Sequence, residues 1–291
     1  GERMQAMNTY RIFFLGAGAV CEALLKGMLS AGLVRAEQVT ISNRKHGERL
    51  EELRQRYGVQ VTSNKVESCR EADLVVLAMK PFDLPAALQE VGDALSSRQI
   101  VISLAAGIST AMIERQSGLP VPVIRAMPNT SSSVQASATA LCGGRWTTSE
   151  HLELAQRLFS AIGVSVVVEE EQMNAVTGLS GSGPAYVYYL VEALQEAAQQ
   201  CGLPAETART LLVQTIYGAA RMLQESELSP ADLRRQVTSP NGTTMAGLSV
   251  LEEGGVYQLL IQTVRRASER AAEMGVQVEA FAERALSGKT A

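Results

Sequence analysis

Histidine is almost missing from this 291-residue chain, which has only His46 and His151. That supply argues against a histidine-bearing metal centre or a histidine-based catalytic pair. The four cysteines, Cys21, Cys69, Cys142 and Cys201, are widely spaced and none lies in a Cys-x-x-Cys. Neither a thiolate metal site nor a disulfide framework is expected, and no metal is assigned. They read instead as reduced core or near-core thiols of a cytoplasmic protein. An excess of positive charge is lacking too. Lys and Arg number 26 against 30 Asp and Glu, a formal net charge of −4, which argues against a nucleic-acid partner. No uninterrupted apolar run reaches membrane-spanning length, and no basic-then-apolar leader is read at the start, so no membrane partner is expected.

What is present suits a globular protein large enough to divide in two: 46% hydrophobic and 19% charged residues. In the first half, short apolar β-prone runs alternate with helical stretches. Strands are expected over 10–15, 38–42, 59–61, 72–78, 99–104, 121–126, 137–141 and 164–168, with helices over 22–31, 84–95 and 152–162 among them. Such alternation predicts an α/β fold with a mostly parallel sheet covered by helices. A sheet of this kind binds ligands beyond the carboxyl ends of its strands. Between the first strand and first helix stands Gly16-Ala17-Gly18-Ala19-Val20-Cys21. Glycines there let a pyrophosphate approach the free amides of a helix N-terminus. Cys21 takes the third fingerprint position, where it is small enough for close helix–strand packing. The strand ends also deliver Ala78, Met79, Lys80 and Pro81 from the fourth strand. Ala105 comes from the fifth, and Met127, Pro128 and Asn129 from the sixth.

The end of the second strand lacks the acid that usually holds the ribose 2′-hydroxyl of NAD. Ser42-Asn43-Arg44-Lys45 offers a hydroxyl, an amide and two cations instead. Those donors suit a 2′-phosphate, which favours NADP(H), with NAD(H) the weaker alternative. Absent a nucleotide, Arg44 and Lys45 are solvated loop charges.

From Glu169 onward the pattern turns helical, which divides the chain into a Rossmann-like region over 8–168 and a helical region over 169–291. Helices are expected over 172–177, 186–200, 205–225, a short stretch from Pro230, 245–253 and 256–274, with a closing segment over 276–286. Their several apolar faces need a partner surface, so at least a homodimer is expected. Two interruptions look chemical. Ser180-Gly181-Ser182-Gly183-Pro184 allows close backbone approach. Pro240-Asn241-Gly242-Thr243-Thr244 sets amides and hydroxyls at a helix start, as an ordinary cap or as a carboxylate site. No lysine lies between Lys80 and Lys289, and no histidine follows His151. A hydroxyacid dehydrogenase of this layout needs such a group to move the alcohol proton. Reduction of a C=N bond fits better, because a protonated iminium already attracts hydride.

Taken together, these motifs resemble the pyrroline-5-carboxylate reductase family over essentially the whole chain after Met7. The most specific are Ser180-Gly181-Ser182-Gly183-Pro184-Ala185-Tyr186 and Ser239-Pro240-Asn241-Gly242-Thr243-Thr244. Ala78-Met79-Lys80-Pro81 and Arg125-Ala126-Met127-Pro128-Asn129-Thr130 support them. The resemblance implies a Rossmann-type domain followed by an all-helical one, and an NADPH-preferring reductase that converts L-1-pyrroline-5-carboxylate to L-proline. Dimers interlocked through the helical domain are implied, in some members assembled into decamers. The 239–244 loop of one subunit would close over substrate near the other subunit's cofactor. Gly242 and Thr243 would hold the substrate carboxylate, with Asn241 and Ser182 nearby. Thr244 would direct its hydroxyl to the ring nitrogen. Asn64 would approach the adenosine ribose and its phosphate; Met127 and Pro128 would lie by the nicotinamide. Three sites depart from the family pattern: the triplet Ala19-Val20-Cys21, Asn174 where an acid is frequent, and Asn241 where glycine is common. Asn241 tolerates the left-handed backbone that this turn needs. A reductase of a related cyclic imine, or a nucleotide-binding regulatory relative without turnover, remains an alternative.

Overall fold

The short β-prone runs pair into one eight-stranded sheet in the computed structural model, which describes residue 7, residues 9–44 and residues 47–288. Lys45, His46 and Lys289 lie outside the described residues. The strands are β1 (Ile12–Leu15), β2 (Val39–Ser42), β3 (Gln60–Val61), β4 (Leu74–Leu77), β5 (Ile100–Ser103), β6 (Val123–Met127), β7 (Ser137–Gly143) and β8 (Gly163–Val167). Their order is β3-β2-β1-β4-β5-β6-β7-β8. Every neighbouring pair is parallel except β6 and β7, which run antiparallel with Ala126 opposite Leu141. The first six strands therefore follow the doubly wound order of a Rossmann sheet.

Side-chain alternation sends the apolar residues of the central strands into two cores. Ile12 and Phe14 of β1 and Leu74 and Val76 of β4 join one cluster. Phe13 and Leu15 of β1 and Val75 and Leu77 of β4 join the other. Full burial of β1, β4 and β5 on both faces explains their unbroken apolar runs. One face is covered by α1 (Ala19–Ser30), α2 (Glu48–Tyr57) and, further along, α6 (Ser149–Phe159), through residues such as Leu24, Leu53 and Phe159. The other is covered by α3 (Lys65–Glu71), α4 (Leu84–Val91) and α5 (Thr110–Ser117), through Cys69, Leu88 and Met112. The expected helix over 84–95 ends as α4 plus one 3-10 turn, Gly92–Ala94.

The chain forms two compact units, one running to Ser182 and resuming at Arg266, the other Gly183–Arg265. That division differs from the boundary expected after residue 168. Met173 of the short helix α7 (Met173–Val176) packs on Ala140 and Cys142 of β7. Near the other end of the chain, Val278 and Ala282 enter the second core. The separate segments expected over 256–274 and 276–286 are one 32-residue helix. We number it α12 (Val256–Ser287), after the helices of the second unit given below. Gly275 does not interrupt it. A Cβ at Gly107, whose φ is +76°, would stand 3.1 Å from the Gly275 Cα, so the two glycines let the helix and the loop after β5 touch.

The second unit holds α8 (Gly183–Gln200), α9 (Ala205–Glu225), α10 (Pro230–Gln236), α11 (Thr243–Glu253) and the beginning of α12. α8 buries none of its residues, and Tyr188, Tyr189, Leu190 and Leu194 are exposed. The stripe over 186–194 is thus not core within this chain. Among the described residues no helix is long and apolar enough to cross a membrane.

Candidate active site

The turn after β1 is shaped by what its glycines exclude. Gly16 has φ +115°, and a Cβ there would overlap the Ala78 carbonyl at the end of β4. Its N–H donates to the Ser42 carbonyl at 2.9 Å, which ties the ends of β1 and β2 together. Gly18 caps α1 without a side-chain hydrogen bond, and a Cβ on it would meet nothing within 4 Å. The first α1 amide bonded within this turn belongs to Glu22, which donates to the Gly18 carbonyl at 3.1 Å. The amides of Ala19, Val20 and Cys21 precede it at the positive end of the helix dipole. Burial pushes the Cys21 thiol up to about 12, which makes it packing and not a nucleophile.

A groove of about 760 Å³ opens beside this turn. Gly16, Gly18, Asn43, Arg44, Ala78, Met79 and Lys80 line it, together with Lys65, Phe82, Asp83 and Phe281. Phe82 and Phe281 meet edge to face with ring centroids 5.2 Å apart. Three cations from separate segments therefore face one space. Arg44 pairs with Asp83, Nη1 to Oδ1, at 2.9 Å, and Lys65 with Glu90 at 3.7 Å. Pro81 starts the turn that presents Asp83. Ser42 does not present its hydroxyl to this groove: it is buried at the end of β2 and its Oγ has no partner. Asn64 caps α3, accepting from the Glu67 amide at 3.2 Å.

Two braces hold this frame, and neither role shows in the sequence. Arg49 of α2 donates from Nε to the Ala17 carbonyl at 2.8 Å and from Nη2 to Glu22 at 2.8 Å. Tyr57 donates to Glu22 at 2.9 Å, and Arg56 also bonds it. Partial burial pushes the Glu22 carboxyl up, but the hydrogen bonds from Arg49, Tyr57 and Arg56 outweigh it and hold Glu22 below the usual range. The second brace is Asn129, just past β6. Its Nδ2 donates to the Ser180 carbonyl at 3.1 Å, and its Oδ1 accepts from the Ser131 amide at 3.1 Å. It thereby pins Ser180-Gly181-Ser182 to the strand end that carries Met127 and Pro128. A Cβ at Gly181 would stand 3.0 Å from Met127 Cε. The 180–184 segment expected as a loop is helical at both ends: Ser180 and Gly181 close the π-helical turn Thr177–Gly181, in which the Ser182 amide donates to the Thr177 carbonyl at 2.9 Å, and Gly183 and Pro184 open the next helix. Single π turns of this kind occur often at functional sites. Ala105 is buried at the end of β5.

The second unit carries the other chemical motif. Asn241 adopts φ +59°, the left-handed conformation expected for it. Gly242 is the N-cap of α11, with no side-chain hydrogen bond to that helix start. A Cβ on Gly242 would stand 2.6 Å from Ser239 Oγ. The first α11 amide bonded back to this cap is that of Ala246, at 3.2 Å from the Gly242 carbonyl. Thr243 and Thr244 therefore open the helix with exposed side chains and with amides that precede its ladder. Among the described residues no group of three or more His, Cys, Asp or Glu could hold a metal.

This geometry has counterparts in known proteins. Residues 11–107 match the model of the NADP oxidoreductase coenzyme F420-dependent family, and 170–274 match that of pyrroline-5-carboxylate reductase dimerisation. A pyrroline-5-carboxylate reductase of Pseudomonas aeruginosa is 39% identical over 273 residues, covering 94% of this chain and 99% of its own. The structure of a pyrroline-5-carboxylate reductase from Coxiella burnetii superposes with a TM-score of 0.86 at 40% identity, over 91% of this chain and 98% of that one. The Plasmodium falciparum pyrroline carboxylate reductase, solved with NADP bound, gives 0.81 at 27% identity, over 92% and 99%. With a sheet built for a dinucleotide, a helical unit matching a dimerisation region and relatives aligned along nearly its full length, this chain belongs to the pyrroline-5-carboxylate reductase family.

Proposed function

We propose that this protein is an NADPH-dependent reductase that converts L-1-pyrroline-5-carboxylate to L-proline. The observation that carries the reading is the groove beside Gly16 and Gly18. Its turn has no room for a side chain at Gly16, a helix start supplies amides, and Arg44, Lys65 and Lys80 supply positive charge. A nucleotide carrying an extra phosphate fits that donor set. A nucleotide held by these residues would supply the hydride for the imine carbon, with the ring nitrogen already protonated as the iminium and NADP+ as the other product.

The chain's own residues bind and orient. Ala19 and Val20 lend their amides to the pyrophosphate, and Arg44 holds the 2′-phosphate with Asn43 beside it. Asn64 serves the adenosine end, Ala78 to Pro81 form one wall, and Ala105, Met127 and Pro128 serve the nicotinamide end. The amides of Gly242 and Thr243 hold the substrate carboxylate, with Asn241 setting the turn and Ser182 as a further polar contact. Thr244 orients the ring nitrogen through its hydroxyl. A hydroxyl suffices because the iminium carries the positive charge itself and no strong side-chain acid is needed. The protein works as a homodimer through its 170–274 region, and we infer a decamer as its higher assembly from the family resemblance alone. Its four unpaired cysteines support a reducing, cytoplasmic setting.

The test is direct. Purified protein given NADPH and L-1-pyrroline-5-carboxylate should form one proline per NADPH oxidised. Tight NADPH binding without turnover of this imine would leave a nucleotide-binding relative instead.

A further inference from the structure

The end of β2 lacks an acid, yet an acid reaches that position from elsewhere. Asp83, presented by the turn Pro81–Asp83 after β4, places Oδ1 2.9 Å from Arg44 Nη1 at the rim of the groove. Both side chains are accessible, at 80% for Arg44 and 40% for Asp83. Asp83 precedes α4 but makes no cap hydrogen bond to it, and Arg44 is its side chain's partner among the described residues. Its carboxylate is therefore engaged by Arg44 and not by its own helix. We propose that Asp83 is a cofactor-specificity residue that narrows the preference for NADPH over NADH.

The inference rests on Arg44 meeting the 2′-phosphate. A phosphate drawn to Arg44 must share or displace the Asp83 carboxylate, and it meets a like charge within a few ångströms. A 2′-hydroxyl meets no such opposition, because a carboxylate accepts its hydrogen bond. The site thus holds a cation that selects the phosphate and an anion that tolerates the hydroxyl. The strength of the preference is set by both groups together.

Asp83→Asn keeps the shape and removes the charge. NADPH and NADH dissociation constants measured by nucleotide fluorescence, without imine substrate, separate the effects. NADPH should bind about 3- to 10-fold tighter at low salt, with NADH unchanged or up to about threefold weaker, and the NADPH gain should shrink as salt rises. A changed ratio with unchanged thermal stability excludes a merely structural effect. An unchanged ratio, or weaker NADPH binding, would overturn the proposal. Arg44→Ala keeps this failure apart from failure of the underlying reading. If Arg44→Ala leaves NADPH affinity intact, the phosphate does not meet Arg44 at all. If it weakens NADPH selectively while Asp83→Asn changes nothing, the Arg44 contact stands and only the role of Asp83 falls.

Discussion

The two units solve the same problem in opposite ways. In the sheet unit, β1, β4 and β5 are buried along their whole length, and both faces are covered by helices of the same chain. In the helical unit, α8 buries nothing, Tyr189 is 73% exposed and Leu190 45%. The residue types are similar; the surroundings are not. A sheet with two apolar faces is satisfied within its own chain. A set of amphipathic helices with apolar residues left outward is written for two chains. Stability and cofactor binding thus belong to the first unit, and assembly to the second.

The largest effect is expected at the helical unit. Leu190→Lys combined with Leu194→Lys should separate the dimer at a cost of about 4 kcal/mol or more. Sedimentation should then show a 31.1 kDa species that still binds NADPH. Loss of NADPH binding together with the dimer would refute the division of labour. Next comes Gly16→Ala, which forces a side chain into the Ala78 carbonyl at a positive φ. Thermal unfolding should show a loss of about 3 kcal/mol, with NADPH binding lost and the dimer retained. A smaller effect is expected from Arg44→Ala, which should raise the KM for NADPH about tenfold or more and leave NADH nearly unchanged. Equal loss with both nucleotides would contradict the assignment.

The smallest effect sharpens the first unit through pH. Glu22 is held below its ordinary value of 4.5 in the folded protein. Its stabilisation is therefore present above the unfolded-state value and is lost as pH falls through the lower folded one. Glu22→Gln should cost about 1–2 kcal/mol at neutral pH. The gap between variant and parent should close as urea melts are taken progressively below pH 4.5. A gap that stays constant in acid would mean that charge plays no part.

The strands were legible because each is a short local run of apolar β-prone residues, and the sheet's parallel character followed from their alternation with helices. The Gly16 and Asn241 turns were legible for a related reason, since both rest on backbone conformations that few residues adopt. What could not be read depends on partners distant in sequence. Gly275 looked like a break until Gly107 supplied the close approach that makes a glycine useful there. The 180–184 segment looked like a loop because glycine and serine signal turns, yet Asn129 holds its start against β6 as a π turn. Ser42 looked available, but the end of β2 buries it. Arg49 and Asp83 gave no local signal at all, because each acts on a segment more than 30 residues away.

If the sheet unit binds the nucleotide while the 241–244 turn handles the imine, the two tasks can be separated by one substitution. That substitution is Thr244→Ala, with NADPH affinity and turnover measured on the same preparation. NADPH affinity and dimer mass should stay at parental values while kcat/KM for the imine falls by about one to two orders of magnitude. Thr244→Ser should recover much of that loss. Unchanged turnover in the Ala variant, or a parallel loss of NADPH affinity, would contradict this division.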